Sequence, residues 1–517
     1  MSKTIDSILI VGGGTAGWMA AAYLARHLGS DLPNGVKITL VESSDIPVIG
    51  VGEGTFPSIR TTLGLIGIDE AEFIRKADAT FKQGIKFVNW KTNPNTPEHF
   101  YYNLFENPHR IQNHEELAPY WAFRHAQTNP SFSDSVSFQH GICEEKKAPK
   151  QKGDKNFFAP MNYAYHLDAG KLAELLKEHS LRLGITHLIG TVDKVNVKEN
   201  GEIASVKLED GKELEADMFI DCTGFAAVLI DKTMGSKLKP VDDVLFVDRA
   251  LVAQVPYEDE MCPIASSTLS TAQEAGWLWD IGLRHRRGTG HVYSSRHSTD
   301  EQAERVLEEY LGKSAKNASP RLLKMKTGYR ETHWIKNCVS VGLSGGFLEP
   351  LEATGIVLIE AAIRMIGDYF PRYGDFEVSA KHFNRAMRER YEDAVSFVKM
   401  HYYLSERDDS AFWIDNRNDD SVPDYLLEKL ELWKYRLPQV SDFHSNNRLF
   451  SHEIYQYILL GMGFKPDIIR NQSAFPFVRQ ADAEFNNVQL AKENAVKMMP
   501  NHRDLIEAAQ DESFKFG

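Results

Sequence analysis

Gly12-x-Gly14-x-x-Gly17 stands between a short apolar run, Ser7–Val11, and a stretch of helical periodicity from Trp18 to His27. That placement is what a dinucleotide site needs. Gly12 permits a tight turn, Gly14 lets a pyrophosphate approach the backbone, and Gly17 lets helix and strand pack closely. The helix start offers N–H donors to the phosphates. A second strand, Val36–Val41, ends at Glu42, placed to accept hydrogen bonds from an adenosine ribose. This pattern leaves FAD and NAD open. The later turn Asp221-Cys222-Thr223-Gly224, following strand-like runs, is typical of FAD proteins, which interrupt the first domain with a second sheet. The sequence holds no second fingerprint for NAD(P)H, so if the cofactor is FAD its electrons must come from the substrate or from flavin reduced by another protein.

Three further segments have a chemical and an ordinary reading. Gly50-Val51-Gly52-Glu53-Gly54-Thr55-Phe56-Pro57-Ser58 is either a strap beside a flat ligand or a surface loop. Trp277 and Trp279 share one face of a strand and form either core or a flat apolar wall beside a cofactor or aromatic substrate. Glu352, Thr354 and Gly355 open an apolar helix. Thr354 could cap it with Glu352 as a first-turn charge, or the free N–H groups could hold an anion. Glycine at 355 costs helix propensity, which close approach of another group would explain. Lys82 ends a helical stretch, about 70–83, where the dipole alone favours a solvated lysine.

The elements that must position these residues can also be read. Asp193–Lys198, Ile203–Leu208 and Leu214–Ile220 are strand-like and separated by the turn formers Asn200-Gly201 and Asp210-Gly211. Phe383, Met387, Tyr391, Val395 and Val398 mark one face of a long helix, and Ile454–Leu460 another helix stopped by Gly461. Segments 93–97 and 144–155 read as exposed loops, and the last dozen residues as a fraying tail. The spacing predicts a mixed α/β fold: a dinucleotide-binding module over 1–395, with 91–190 partly facing substrate, and a mostly helical module over 396–517. The 517 residues are 42% hydrophobic, enough for a sizeable core, and their net charge of −13 argues against nucleic acid or anionic membrane as partner. Four scattered cysteines give neither a disulfide scaffold nor a metal site, and the start of the chain runs into a strand rather than a signal segment. A soluble, cytoplasmic enzyme is expected.

Taken together, these segments resemble the flavin-dependent halogenases of the tryptophan halogenase family. The matches are Gly12–Gly17, Gly50–Ser58, Phe81-Lys82 before Ile85-Lys86-Phe87, the two-Trp motif, Gly290–Ser295, Pro350–Gly355 and Leu404–Trp413, in family order. The resemblance implies one compact unit, with a separate NAD(P)H-dependent reductase delivering reduced FAD. With O2 and chloride or bromide, hypohalous acid forms and travels through the interior to Lys82, which hydrogen-bonds it or becomes a haloamine. Glu352 would stabilise the cationic ring intermediate or take its proton, and Thr354 and Gly355 match the halide positions. Gly12, Gly14, Thr15, Ala16, Gly17, Glu42, Gly50, Val51, Gly52, Glu53, Leu343 and Ile356 would contact FAD, with Trp277 and Trp279 as a wall.

Two features depart from the family pattern. Its W-x-W-x-I-P ends here in Ile281-Gly282, which implies some loss of rigidity. The Tyr-Tyr pair and downstream Glu and Phe that clamp free tryptophan are replaced by Asp442–Phe450, so the expected substrate is an indole-like aromatic without that headgroup. A flavin hydroxylase on the same fold would leave Lys82 idle, and a flavin-storage protein would need neither Lys82 nor Glu352. The family is often dimeric, and the sequence leaves the oligomeric state open.

Overall fold

Alternate residues of Ser7–Val11 feed two different cores, and this sets the architecture. The computed structural model describes residues 4–45, 52–94, 99–111, 115–125, 131–443, 445, 447–468 and 472–517. Ser7–Val11 lies inside a six-stranded sheet ordered Trp334–Ile335, Cys338–Ser340, Met218–Asp221, Ser7–Val11, Lys37–Glu42, Thr186–Ile189. Its pairs are parallel except at the Trp334–Ile335 edge. Ile8 and Ile10 pack beneath the helices Thr15–Leu28, Ala169–Arg182 and Thr354–Asp368. Leu9 and Val11 instead meet Val206, Leu208 and Phe219 on the other face. The chain passes first to one side of Ser7–Val11 and later to the other. The crevice at the strands' carboxyl ends, where Gly12 and Asp221 lie, is therefore the switch point at which such sheets bind ligands.

The hairpins form where the turn residues placed them, with Gly201 at φ 83° and Gly211 at φ 90°. The third run, expected as one strand over Leu214–Ile220, divides in two. Glu213–Glu215 closes the hairpin sheet and Met218–Asp221 joins the central one. Between them the Asp217 carboxylate accepts the N–H groups of Asp6 and Ser7 at 3.0 and 3.1 Å, tying the break to the first strand.

Two other sheets carry the site. A seven-stranded sheet includes Gly84–Val88, Phe100–Leu104, Gly276–Gly282 and Arg286–Tyr293. A three-stranded sheet places Ala164–Asp168 between Gly52–Gly54 and Thr80–Lys82. Here the expectation for Lys82 is corrected. The helix runs only over Glu70–Lys76, Asp78 turns the chain through φ 51°, and Lys82 ends a strand whose Phe81 pairs with Tyr165. Pairing with Ala164–Asp168 outweighs the helical pattern that continued past Lys76.

Segment 144–155 and the tail are also corrected. Lys150 is fully buried, 2.6 Å from Glu70, whose carboxylate also accepts from Tyr163 and Tyr165 at 2.7 and 2.6 Å. Phe516 lies 3.9 Å below the same ammonium, and Phe514 and Phe516 are buried. One lysine of a run whose residues 144–146, 152 and 155 are exposed as expected is thus the partner of a buried carboxylate.

The long helix is Glu377–Tyr403, with Phe383, Met387, Tyr391, Val395 and Val398 all buried, and it spans residue 395 without a break. Beyond it the main helices are Asp424–Trp433, His452–Gly461, Val478–Met498 and His502–Ala508. All four cysteines are free, and among the described residues no helix is long and apolar enough to cross a membrane.

Candidate active site

The glycine turn after Ser7–Val11 is built for close approach. A Cβ on Gly12 would fall 2.2 Å from the Cys222 carbonyl oxygen, and one on Gly17 would fall 1.9 Å from that of Gly12. Gly14 faces open space at the start of Thr15–Leu28, a helix without a side-chain cap. Its first N–H groups are therefore free to receive phosphate. Glu42 lies beneath Gly13, and its Oε1 accepts from His187 at 2.8 Å and Lys177 at 3.1 Å. A cradle with an open, uncapped helix start and a carboxylate at the neighbouring strand end suits a dinucleotide such as FAD.

The strap is a strand in its described part, Gly52–Gly54, while Gly50 and Val51 lie outside the described residues. Burial, followed by the charge of Asp168, pushes the Glu53 carboxyl up to about 7. A Cβ on Gly54 would lie 3.0 Å from Lys82 Nζ and 3.4 Å from Ala353 Cβ. Glycine at 54 thus lets the strap pass between the lysine and the Glu352–Ala353 turn.

Glu352 does not sit in the helix as a first-turn charge. Glu352 and Ala353 both have left-handed backbones, φ 64° and 51°, and the helix begins at Thr354 with no side-chain cap. Two such non-glycine residues cost on the order of 1–2 kcal/mol each. The result is a carboxylate turned inward, 3% exposed. Its Oε2 accepts from Asn103 Nδ2 at 2.7 Å, and its Oε1 lies 3.2 Å from His401 Nε2 without hydrogen-bond alignment. His401 Nδ1 in turn meets the Tyr101 hydroxyl at 2.9 Å.

Lys82 is fully buried, and among the described residues its ammonium has no hydrogen-bond partner. Burial lowers its pKa to about 8, with the negative charge of Glu352 opposing that fall. Phe105 lies 5.2 Å from Nζ. Phe56 is 6.3 Å from Phe105 and 5.8 Å from Phe450, so a chain of three rings starts at the one beside the lysine. Thr354 is buried, whereas Gly355 is exposed and fronts open space at the helix start, where an anion could sit.

These observations converge with the comparisons. The sequence matches the family described as tryptophan halogenase over residues 7–475. The chain belongs to the tryptophan halogenase family. It is 33% identical to the tryptophan 6-halogenase ThaL of Streptomyces albogriseolus, over 98% of this chain and 99% of ThaL. The crystal structure of a tryptophan halogenase from Shewanella frigidimarina superposes with TM-score 0.94 at 38% identity, covering 99% of each chain. BrvH, a flavin-dependent halogenase from Brevundimonas, gives TM-score 0.87 at 31% identity over 98% of this chain and 99% of BrvH. The protein is a flavin-dependent halogenase whose mixed α/β fold forms one compact unit.

In this halogenase, Lys82, Gly54, Glu352 and Ala353 come together, with Thr354 and Gly355 next in the chain. Leu343 lies in the short helix Gly342–Ser344 and Ile356 is buried in Thr354–Asp368. Gly342 presses against Ala16, where a Cβ would lie 2.6 Å from that of Ala16, and Thr15 Oγ1 reaches the Ala169 carbonyl at 3.5 Å. Trp277 and Trp279 share a face of Gly276–Gly282, ring centroids 6.2 Å apart. The Trp277 indole N–H donates to Glu349 at 3.3 Å, while Trp279 covers Gly290 with its N–H unpaired. Gly282 is held rather than loose: it pairs with Arg287, and its carbonyl accepts from Thr80 Oγ1 at 2.6 Å.

Sequence reasoning missed Asn103, His401, Phe105 and Glu349. Asn103 lies in an aromatic run without a recognisable motif. His401 lies one position along the buried face already traced through Val398, and that face was the available signal. Glu349 accepts from Tyr402 at 2.6 Å and from Trp277, and burial pushes it up to about 7.

Proposed function

We propose that this enzyme halogenates an electron-rich, indole-like aromatic that lacks an amino-acid headgroup, with Lys82 and Glu352 as its catalytic residues. The observation that carries this reading is the meeting of a buried lysine, without a hydrogen-bond partner among the described residues, with a buried carboxylate at an uncapped helix start. FAD would be held by Gly12, Gly14, Thr15, Ala16, Gly17, Glu42, Gly52, Glu53, Leu343 and Ile356, with Gly50 and Val51 in the undescribed part of the strap. Thr354 and Gly355 would hold chloride or bromide. Bound reduced FAD, supplied by a separate NAD(P)H-dependent reductase, furnishes hypohalous acid from O2 and halide. The Lys82 amine attacks the halogen of that acid, forming a haloamine and releasing water. The aromatic ring then takes the halogen, and Glu352 accepts the displaced ring proton and relays it to the nitrogen that gave up the halogen, so that amine and carboxylate are both regenerated.

The working form of Lys82 is the neutral amine. With a pKa near 8, raising the pH from 7 to 9 increases the neutral fraction about tenfold. Product formation at saturating reduced flavin and halide is expected to rise over that range. A rate that falls as pH passes 8 would assign Lys82 to hydrogen-bond donation instead.

The substrate reading rests on Phe56, Phe105 and Phe450 and on the described groups of Asp442–Phe450, which the protein uses itself. Asp442 binds Arg436 and the Trp433 indole N–H, Ser445 and Asn447 bind Glu389, and the Leu449 N–H binds Asp393. His444 and Asn446 lie outside the described residues. Incubation with reductase, FAD and bromide, followed by mass spectrometry, is expected to show faster turnover of indole than of tryptophan. A clear preference for tryptophan would overturn the substrate assignment.

A further inference from the structure

Among the described residues Lys82 has no hydrogen-bond partner, so the placement of its amine depends on the backbone of Thr80–Lys82. That strand is three residues long and lies at the edge of its sheet. Ala164–Asp168 holds one side, which leaves the Phe81 N–H pointing outward at full burial, where an unmet donor is costly.

The donor is met from a distant part of the chain. The Phe81 N–H donates to His502 Nε2 at 2.8 Å, and the two rings lie 5.6 Å apart. His502 is fully buried, and burial drives its pKa down to about 3, so Nε2 remains an acceptor at working pH. The His502 backbone N–H donates to the Lys146 carbonyl at 3.0 Å, and the Ala148 N–H donates to the Pro500 carbonyl at 2.9 Å. Arg503 Nε donates to the Cys262 carbonyl at 2.9 Å. The helix His502–Ala508 is therefore anchored on both flanks, and its first residue projects onto the strand that presents the lysine.

We propose that His502 is a positioning residue for halogen transfer: by accepting the Phe81 N–H, it fixes the height at which Lys82 enters the site. This rests on Lys82 being the halogen carrier. Without the acceptor the edge strand can shift, and displacements of about 1 Å at such a group cost up to about 100-fold in rate. Hypohalous acid that misses the amine is lost to solvent, so the signature is uncoupling rather than slower flavin consumption.

The test compares full-length H502F, which lacks a lone-pair acceptor, and H502M, whose thioether accepts only weakly, with H502Q, whose amide oxygen can accept, alongside K82A. Each is first checked for folding by thermal melting and for FAD binding. Halogenated indole per reduced flavin is then measured, with free hypohalous acid trapped chemically. A second readout, on flavin-free protein, is the rate at which an amine-reactive reagent labels Lys82. The expected result is about tenfold less product per flavin in H502F and H502M, more trapped oxidant, faster Lys82 labelling, and recovery of coupling in H502Q. Wild-type coupling and labelling in a folded H502F or H502M, with K82A inactive, would overturn the positioning role alone. Uncoupling in H502Q as severe as in H502F would also overturn it. A K82A that still halogenates would overturn the role of Lys82, and that of His502 with it.

Discussion

Replacing Lys82 with alanine is expected to lower halogenated product by on the order of 1,000-fold, while flavin binding and melting temperature stay close to wild type. The asymmetry follows from the surroundings. Most buried lysines are paired, and deleting one strands its partner; the Lys150–Glu70 pair, both side chains fully buried, would behave that way. Among the described residues Lys82 Nζ has no hydrogen-bond partner, so its loss strands no donor or acceptor and removes only the charge that faces Glu352. Removing a charge held at full burial also removes a desolvation penalty. Lys82→Met, which keeps most of the volume, should be as inactive as the alanine variant and at least as stable. Liquid chromatography with mass spectrometry, set beside thermal melts, separates the chemical from the structural effect.

Glu352→Gln is the second large effect, with product formation expected to fall by on the order of 100-fold. The amide keeps the shape of the side chain, and its oxygen can still accept from Asn103 Nδ2, so the left-handed turn at Glu352 and Ala353 should survive. What is lost is a group able to take the ring proton. The substitution carries a second signature. The Glu352 charge works against burial in setting the Lys82 pKa, so removing it should move the Lys82 titration below 8. Amine-labelling rates across pH would read that shift, and an unchanged midpoint would show that the two side chains do not sense each other.

The glycine turn, Glu42 and the central sheet were legible because each is a local pattern with one physical solution. Glu352 stood out in the sequence at the start of an apolar helix, although its left-handed backbone did not, since nothing in Pro350-Leu351-Glu352-Ala353 requires two successive residues at positive φ. Lys82 was misplaced for a related reason. Residues 70–83 carry helical periodicity, and only Tyr165, more than eighty positions away, makes a strand of Phe81. Lys150 and the tail failed similarly: a Lys-rich run reads as solvated unless the buried Glu70 carboxylate is known. Asn103, His401 and His502 reach Glu352 or Phe81 through contacts with residues far along the chain, which no local pattern announces.

The most direct test of the account is a single-turnover experiment with limiting reduced flavin, O2, bromide and indole, comparing wild type with K82A by product mass. The account predicts bromoindole, recognised by its bromine isotope doublet, from wild type, and unmodified indole with trapped hypobromous acid from K82A. Bromoindole from K82A in wild-type yield, or hydroxyindole in place of bromoindole from wild type, would contradict it.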